Sequence, residues 1–274
     1  MRLATARTAE GTRAVRVTAQ GYADLGLPDV GALLELPDWQ QRAAAGGPAL
    51  PGPAGLAPVV PRPGKVICVG LNYRNHILEM GRELPAHPTL FAKFTEALIG
   101  PADDIALPAE SGAVDWEAEL TVVVGRTVRH ADEQQAAEAI AGFTVMNDVS
   151  VRDWQFRTVE WLQGKTFEAT TPLGPVLVTP DELPGGVRPV LPLSTTVDGE
   201  PMQKADTSDL VFDPVDLVRY ISAILTLRPG DVIATGTPGG VGHARKPPRY
   251  LTDGTVVVTE IGGIGRLENT ARSA

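Results

Sequence analysis

The chain has 274 residues, which is long enough for one large domain with a small appendage. Its composition, with 43% hydrophobic and 21% charged residues, is typical of a globular protein and excludes extensive disorder. The formal net charge of -9 gives no electrostatic reason to bind nucleic acid or an anionic membrane. Because the protein is negatively charged overall, an anionic substrate would need a local positive centre in its binding site.

The start of the chain shows no pattern of a targeting segment. Residues 1–17 contain scattered Arg and Thr without a continuous apolar stretch, and nowhere do about 18 apolar residues follow one another. The single cysteine, Cys68, lies in an apolar run and is interpreted as a buried core residue. We therefore expect a cytoplasmic protein without a membrane segment.

Residues 1–60 are predicted to form a small N-terminal subdomain. Alternation around Glu10 indicates a hairpin over residues 5–18, and residues 30–45 fit one short helix. Between Gly46 and Gly64 lie six prolines and five glycines, which is typical of a connector without helix or sheet. The larger domain is then expected over residues 61–274.

The larger domain is predicted to be rich in β-strands, with few helices. Its apolar runs are short, rich in Val and Ile, and divided by Gly and Pro. Asp132 with Gln135 resembles a helix capping box, and Asp213–Pro214 places a cap and a first-turn proline before an apolar helix over residues 215–225. The fold class is therefore mixed α/β and β-rich, without a doubly wound parallel sheet.

Three acidic residues stand where they could share a metal ion. Glu117 and Glu119 precede a strand-like run, where residues two apart point to one face, and Asp148 ends a second apolar strand. Hard cations such as Mg²⁺ prefer oxygen ligands of this kind. A solvated polar face is the alternative for the two glutamates, and a helix N-cap is the alternative for Asp148.

Two further segments carry residues suited to acid–base chemistry. His76 and Glu79 are three residues apart in a helix-like turn, where a carboxylate beside an imidazole raises its basicity and suits it to activating water. A surface ion pair explains the same spacing. Lys165, between a glycine and an apolar residue, could point inward and stabilise negative charge, although a solvated lysine is the default interpretation. A rigid turn is expected over residues 171–175, before the next strand.

A glycine-rich segment over residues 236–242 lacks the lysine of a phosphate-binding loop. It is interpreted as a loop that approaches a pocket closely. His87, His130 and His243 have no acidic partner nearby in the sequence, so they are interpreted as structural or solvated.

Taken in order, these segments resemble the fumarylacetoacetate hydrolase family over roughly residues 65–270. The blocks that carry the resemblance are GLNYRNHILEMG, LFAKFTEALIGP, VDWEAELTVVVG, VMNDVSVRDWQ, GKTFEATTPLGP, LRPGDVIATGTPGGVG and VVVTEIGGIGRLEN. Their order along the chain is more specific than any single block. The resemblance, to the branch of bacterial acylpyruvate hydrolases and 2-hydroxyhepta-2,4-diene-1,7-dioate isomerases, implies a β-sandwich roll and a homodimer.

The resemblance also implies a role for each candidate residue. Mg²⁺ or Mn²⁺ would be held by Glu117, Glu119 and Asp148. His76 and Glu79 would form a water-activating pair on a lid, and Lys165 would face the ion. Substrate contacts are implied for Tyr73, Lys93, Gln155 and Thr237.

The reaction favoured by the sequence is hydrolysis of the carbon–carbon bond of a small anionic dicarbonyl acid, such as an acylpyruvate, to pyruvate and a carboxylic acid. Water activated by His76 would attack the distal carbonyl, with the ion and Lys165 stabilising the leaving enolate. Isomerisation of a 2-hydroxymuconate-type diacid and decarboxylation of oxaloacetate remain alternatives. A non-catalytic metal-binding protein of the same fold is a further one.

Overall fold

The structure, a computed structural model, describes residues 1–52, 54–79 and 81–273. Its strands are β1 (Arg2–Thr8), β2 (Gly11–Thr18), β3 (Gly21–Asp24), β4 (Ala49–Leu50), β5 (Gly55–Leu56), β6 (Val66–Gly70), β7 (Thr89–Lys93), β8 (Leu98–Ile99), β9 (Ile105–Leu107), β10 (Val114–Asp115), β11 (Ala118–Val124), β12 (Ile140–Asn147), β13 (Ser150–Val151), β14 (Thr171–Val178), β15 (Pro192–Val197), β16 (Glu200–Asp206), β17 (Val232–Ala234), β18 (Val256–Ile261) and β19 (Gly265–Ser273). Its helices are α1 (Val30–Leu34), α2 (Trp39–Ala45), α3 (Arg74–Glu79), α4 (Glu133–Ala139), α5 (Arg152–Gln155), α6 (Leu162–Lys165) and α7 (Pro214–Ile224).

Two sheets dominate the architecture. The large sheet has the strand order β4-β3-β2-β1-β14-β12-β11-β17-β6-β7, with β5 pairing β1 and β8 pairing β14. The second sheet has the order β16-β15-β18-β19-β9, and β10 pairs with β13. The mixed α/β, strand-rich fold expected from the sequence is confirmed.

The hydrophobic core lies on both faces of the large sheet. On one face, Leu120 and Val122 of β11 pack with residues of α7 and with Leu193 and Ile261 of the second sheet. On the other face, α1 and α2 pack against β6 and β17, with Cys68 in the same cluster. The sheet is therefore covered on both sides, which explains why every residue of β11 is buried.

The N-terminal region contains the expected hairpin, because β1 and β2 pair antiparallel from Leu3 with Arg16 to Thr8 with Gly11. The single helix expected over residues 30–45 is instead two, α1 and α2, separated by a segment that contains Pro37. The connector is not free of strand structure, since β4 and β5 each add two residues to the large sheet.

Strand β1 joins the N-terminal region to the rest of the chain. It pairs with β14 antiparallel, with Arg2 opposite Val178, so the hairpin extends the large sheet. The domain boundary predicted near residue 60 stays a prediction. The large sheet contains strands from both sides of that boundary.

The two helices expected in the larger domain are confirmed. Asp132 caps α4 in a capping box with Gln135, and Asp213 accepts from two N–H groups of α7, which has Pro214 in its first turn. Among the described residues, no helix has both the length and the apolar character needed to cross a membrane. The turn expected over residues 171–175 is wrong, because these residues are part of β14, where they pair with β8 and β12.

Four strand ends meet at one edge of the large sheet. Strands β6 and β17 run parallel, and β11 runs antiparallel to both β17 and β12. The ends of β6, β17 and β12 therefore lie beside the start of β11. This edge brings together the segments that sequence analysis selected for chemistry.

Candidate active site

Three buried carboxylates form the centre of the site. The ligand oxygens of Glu117, Glu119 and Asp148 all lie within 4.8 Å of one another. Pairing of Ala118 with Asn147 sets this geometry, since it places the residues just before β11 beside the end of β12. The Asp148 N–H donates to the Glu117 carbonyl at 2.8 Å, which fixes two of the three residues together. The Asp148 helix-cap alternative is wrong, because β13 follows it and α5 begins only at Arg152.

Two lysines neutralise Asp148 from different sides. The Lys165 Nζ lies 2.9 Å from Oδ2, and the Lys93 Nζ lies 2.7 Å from Oδ1. Burial alone would raise the pKa of Asp148, but the charges of Lys165 and Lys93 outweigh it and lower the pKa to about 2. Lys165 also donates to Oε2 of Glu117 at 2.7 Å, so the inward orientation considered for this lysine is the observed one.

Arg152 is a member of the site that the sequence interpretation did not single out. Its Nη2 forms an ion pair with Oε1 of Glu117 at 2.7 Å, and its Nε donates to Oδ2 of Asp115 at 2.8 Å. Its Nη1 donates to the side-chain oxygen of Gln155 at 2.8 Å. Burial opposes the charge of Arg152, but the charges of Glu117 and Asp115 outweigh burial and raise its pKa.

Glu119 is the carboxylate of the triad whose negative charge is least balanced by nearby cations. Its Oε2 accepts a hydrogen bond from the Gly236 N–H at 2.7 Å, and no lysine or arginine of the described chain forms an ion pair with it. Burial, together with the charges of Asp148 and Glu117, raises the pKa of Glu119 well above its usual value. A buried carboxylate without a cation is costly, and a metal ion would remove that cost. The three oxygen donors therefore fit a hard divalent cation such as Mg²⁺ or Mn²⁺.

His76 lies on α3 with its ring half-buried. Burial lowers the pKa of His76, although the charge of Glu79 opposes this shift. A β-carbon built on Gly239 would lie 3.1 Å from Nδ1 of His76 and 3.6 Å from Oε2 of Glu79, so both side chains face the glycine-rich loop. The neutral imidazole is the form that can accept a proton.

One cavity joins several of these groups. His76, Glu117, Glu119 and Lys165 all line it, as do Arg152, Gln155 and Thr237. Its wall is mostly apolar and includes Val69, Leu71, Phe91, Phe156, Trp161 and Val241. A β-carbon on Gly70 would lie 2.3 Å from the Trp161 ring, so only glycine permits the close contact of that ring with β6.

The remaining candidates occupy other positions. Tyr73 and Lys93 are buried and are not among the residues that line this cavity, and their substrate contacts stay predictions. Glu79 faces a neighbouring groove that His76 also lines. His243, interpreted as structural or solvated, is exposed but does line the cavity, and its Nδ1 lies 2.9 Å from the Tyr250 hydroxyl.

The glycine-rich loop has the pocket-lining role expected of it. The Gly236 N–H contacts Glu119 as described, at a φ of 100° that favours glycine. Gln203 donates to the Thr237 hydroxyl at 2.9 Å and to the Pro238 carbonyl at 3.0 Å, which holds the loop in place.

Comparison with known proteins agrees with this geometry. Residues 65–272 match the sequence profile described as "Fumarylacetoacetate (FAA) hydrolase C-terminal". The chain belongs to the fumarylacetoacetate hydrolase family. The match contains Glu117, Glu119, Asp148 and the other cavity residues described above, and the predicted family is confirmed.

Relatives within the family carry names of different reactions. The chain is 47% identical over 215 residues to "Oxaloacetate tautomerase Fahd2a, mitochondrial" of Rattus norvegicus, covering 78% of this chain and 68% of the relative. The crystal structure of a 5-carboxymethyl-2-hydroxymuconate delta-isomerase from Mycobacterium smegmatis superposes with a TM-score of 0.80 at 34% identity, covering 100% of this chain and 99% of that one. That of a fumarylpyruvate hydrolase from Pseudomonas aeruginosa, in complex with Mn²⁺ and pyruvate, superposes with a TM-score of 0.69 at 29% identity, covering 82% of this chain and 95% of that one.

The site and the family together identify a metal-dependent enzyme whose acidic triad could hold the ion. The names of its relatives span a tautomerase, an isomerase and a hydrolase. Membership of the family therefore does not by itself determine which reaction this chain catalyses. The residues of this cavity and the degree of similarity to each relative distinguish the candidate reactions.

Proposed function

We propose that the protein is a Mg²⁺- or Mn²⁺-dependent enzyme that interconverts the keto and enol forms of a small 2-oxo diacid of the oxaloacetate type. The observation that carries the proposal is that His76, whose pKa is lowered by burial, opens onto the same cavity as the metal-binding carboxylates Glu117 and Glu119. The 47% identity to a protein named oxaloacetate tautomerase supports this reaction over the hydrolysis favoured from the sequence.

Glu117, Glu119 and Asp148 would hold the divalent ion, because their oxygens lie close together and Glu119 forms no ion pair with a lysine or arginine among the described residues. When bound, the ion supplies Lewis-acid stabilisation of negative charge on the substrate oxygen. Lys165 and Arg152 hold the carboxylates in place, since each contacts Glu117 at 2.7 Å.

His76 would transfer the proton. In the enol-to-keto direction, the hydroxyl on C2 loses a proton, the C2=C3 double bond becomes the C2=O double bond, and C3 gains a proton, so one neutral base can accept the proton from the oxygen and deliver it to C3. The lowered pKa keeps His76 in its accepting form near neutral pH. The direction of this shift is therefore the one that the proposed role requires.

The apolar wall supports a reaction without a water reactant. Phe91, Trp161 and Val69 line the cavity beside the charged groups. Such a wall lowers the local dielectric and strengthens the interactions of the bound substrate with the charged residues. Keto–enol interconversion needs no water molecule in the cavity, whereas hydrolysis does.

Hydrolysis of an acylpyruvate is the second candidate. It is favoured by the common orientation of His76 and Glu79 toward Gly239, because a carboxylate beside the imidazole would help it to activate water. The name of the Pseudomonas aeruginosa relative gives it further support. Water attack on the distal carbonyl would give pyruvate and a carboxylic acid.

The test is a substrate panel assayed with Mg²⁺, with Mn²⁺ and after treatment with a chelator. It contains enol-oxaloacetate, two acylpyruvates and a 2-hydroxymuconate-type diacid. We expect metal-dependent loss of the enol absorbance of oxaloacetate, with the carbon skeleton intact. Release of pyruvate and an acid only from acylpyruvates would select the hydrolase, and release of CO₂ would select a decarboxylase. Double-bond migration in the muconate would select an isomerase. No turnover of any substrate would leave a metal-binding protein of this fold.

A further inference from the structure

Arg82 differs from the other cations that line the cavity. Its side chain lines the cavity and is exposed, and within the described residues no carboxylate forms an ion pair with it. Lys165 and Arg152, by contrast, each contact Glu117 at 2.7 Å. Arg82 is therefore a cation of this cavity whose charge is not already used by a protein carboxylate.

The charges of the buried centre explain why such a cation matters. Four buried carboxylates, those of Asp115, Glu117, Glu119 and Asp148, face the three buried cations Lys93, Arg152 and Lys165. One negative charge remains, and a divalent ion converts it to one positive charge. The centre can thus neutralise one negative charge of a substrate, and a second negative charge needs another partner.

The position of Arg82 relative to α3 places its charge near the proposed base. The Arg82 N–H donates to the Ile77 carbonyl at 3.2 Å, which holds the residue at the end of the helix that carries His76. Burial is the main cause of the lowered pKa of His76, and the positive charge of Arg82 adds to the lowering. The side chains of Arg82 and His76 also line the same cavity, so one small substrate could contact both.

We propose that Arg82 determines specificity by binding the substrate carboxylate that lies farther from the reacting 2-oxo group. This inference rests on the proposed function, and it assigns the residue that would make the enzyme prefer a dicarboxylate to a monocarboxylate. A planar guanidinium suits a carboxylate because it can donate two parallel hydrogen bonds.

The experiment compares the metal-loaded wild type with Arg82→Gln and with Arg74→Gln as the matched control. Arg74 is exposed on α3, the helix after which Arg82 follows, and is not among the residues that line the cavity. The substrates are enol-oxaloacetate and its monoester at the carboxyl farther from the keto group. We expect Arg82→Gln to lower kcat/KM for the diacid about ten- to a hundredfold, the usual effect of losing a hydrogen bond to a charged group. For the monoester we expect a change below about threefold, because the contact is already absent.

Three kinetic outcomes would overturn the assignment. One is an equal loss on diacid and monoester, which would mean that Arg82 acts on the base or on the fold. A second is a loss in Arg74→Gln as large as that in Arg82→Gln. This result would mean that the rate depends on the general electrostatic field near α3 and not on a contact made by Arg82. No loss in Arg82→Gln on either substrate would also reject it.

Calorimetric binding of malate and of its monoester to the Mn²⁺-loaded protein separates this inference from the proposed reaction. If the wild type turns over neither substrate, the proposed function fails, and the binding data still decide the role of Arg82. A malate preference that disappears in Arg82→Gln supports that role. Equal binding of the two ligands to the wild type, or no binding of malate, contradicts it.

Discussion

The Nε of Arg152 lies 2.8 Å from Oδ2 of Asp115, a fully buried carboxylate. The same carboxylate accepts hydrogen bonds from the backbone N–H groups of Gly242 and His243, at 2.6 and 2.9 Å. Asp115 thus connects the cavity guanidinium to the loop that carries His243. It contacts neither Lys165 nor Asp148, so its expected effect is on positioning.

Asp115→Asn should therefore weaken substrate binding more than turnover. The amide keeps an acceptor for the loop but loses the charge that holds Arg152, so we expect KM to rise about tenfold and kcat to change less. Steady-state kinetics at saturating Mn²⁺ measure both. The control is Asp104→Asn, because Asp104 also faces an arginine, Arg272, at 3.8 Å, but on the exposed surface. An unchanged KM in Asp115→Asn would show that Asp115 does not position Arg152 for binding.

Glu119→Gln should stabilise the metal-free protein at high pH. The folded-state pKa of Glu119 is raised above 4.5, so its contribution to stability is present at low pH and is lost as pH rises through the folded-state value. The neutral variant avoids this loss, and its melting temperature in chelator should exceed that of the wild type at about pH 8 but not at about pH 4.

Addition of Mn²⁺ should give the wild type a higher melting temperature than Glu119→Gln. The wild type gains stability from the ion, whereas the variant lacks the charge of one ligand, and we expect its affinity to fall more than about a hundredfold. Thermal melts with and without Mn²⁺ give the comparison. If the ion stabilises both proteins equally, Glu119 is not a ligand.

His76→Gln should separate acid–base chemistry from metal binding. We expect near-normal Mn²⁺ affinity by calorimetry and a rate that is about a hundred to ten thousand times lower. Equal loss of metal affinity in His76→Gln and Glu119→Gln would make His76 a ligand.

The pH dependence of kcat/KM offers an independent check on His76. Because its pKa is lowered from 6.5, the base is active above that lowered value, and the acidic limb of the profile should lie below pH 6.5. His76→Gln should lack this limb. An acidic limb above pH 6.5 in the wild type would contradict the assignment.

Lys165→Met should be strongly destabilising in the metal-free protein. The change leaves Glu117 without one cation and Asp148 with Lys93 alone, and removing one member of a buried pair usually costs about 3–5 kcal/mol. Urea unfolding measures the loss. The exposed Lys204 provides the control, and Lys204→Met should change the free energy of unfolding by less than about 0.5 kcal/mol. A similarly small change in Lys165→Met would mean that the desolvation of this lysine costs about as much free energy as its ion pairs contribute.

Local sequence signals predicted those parts of the structure that local forces decide. The caps at Asp132 and Asp213 depend on residues two or three positions away, and both form as expected. Glu117, just before β11, and Glu119, within it, converge because residues two apart share a face of a strand. Helix α1 ends at Leu34, ahead of Pro37, whose ring is incompatible with a helix interior.

Other features depend on partners that are distant in the sequence. Asp115 meets Arg152 across 37 residues and Gly242 across 127 residues, so no local spacing reveals the contact. The connector strands β4 and β5 are two residues long and exist because β3 and β1 offer them a sheet edge. The position of Lys93 behind Asp148 likewise follows from packing and not from its own neighbours.

The parallel pairing of β6 with β17 has a consequence for the way the protein folds. Val66 lies opposite Val232, and Lys65 reaches Asp231 across 166 residues, so the edge that carries the site closes only after most of the chain has been synthesised. Pairing over such separations is slow, because loop-closure entropy is lost before the contacts form. The nascent chain therefore has no assembled acidic triad, and a divalent ion would bind only the finished fold and would slow its unfolding.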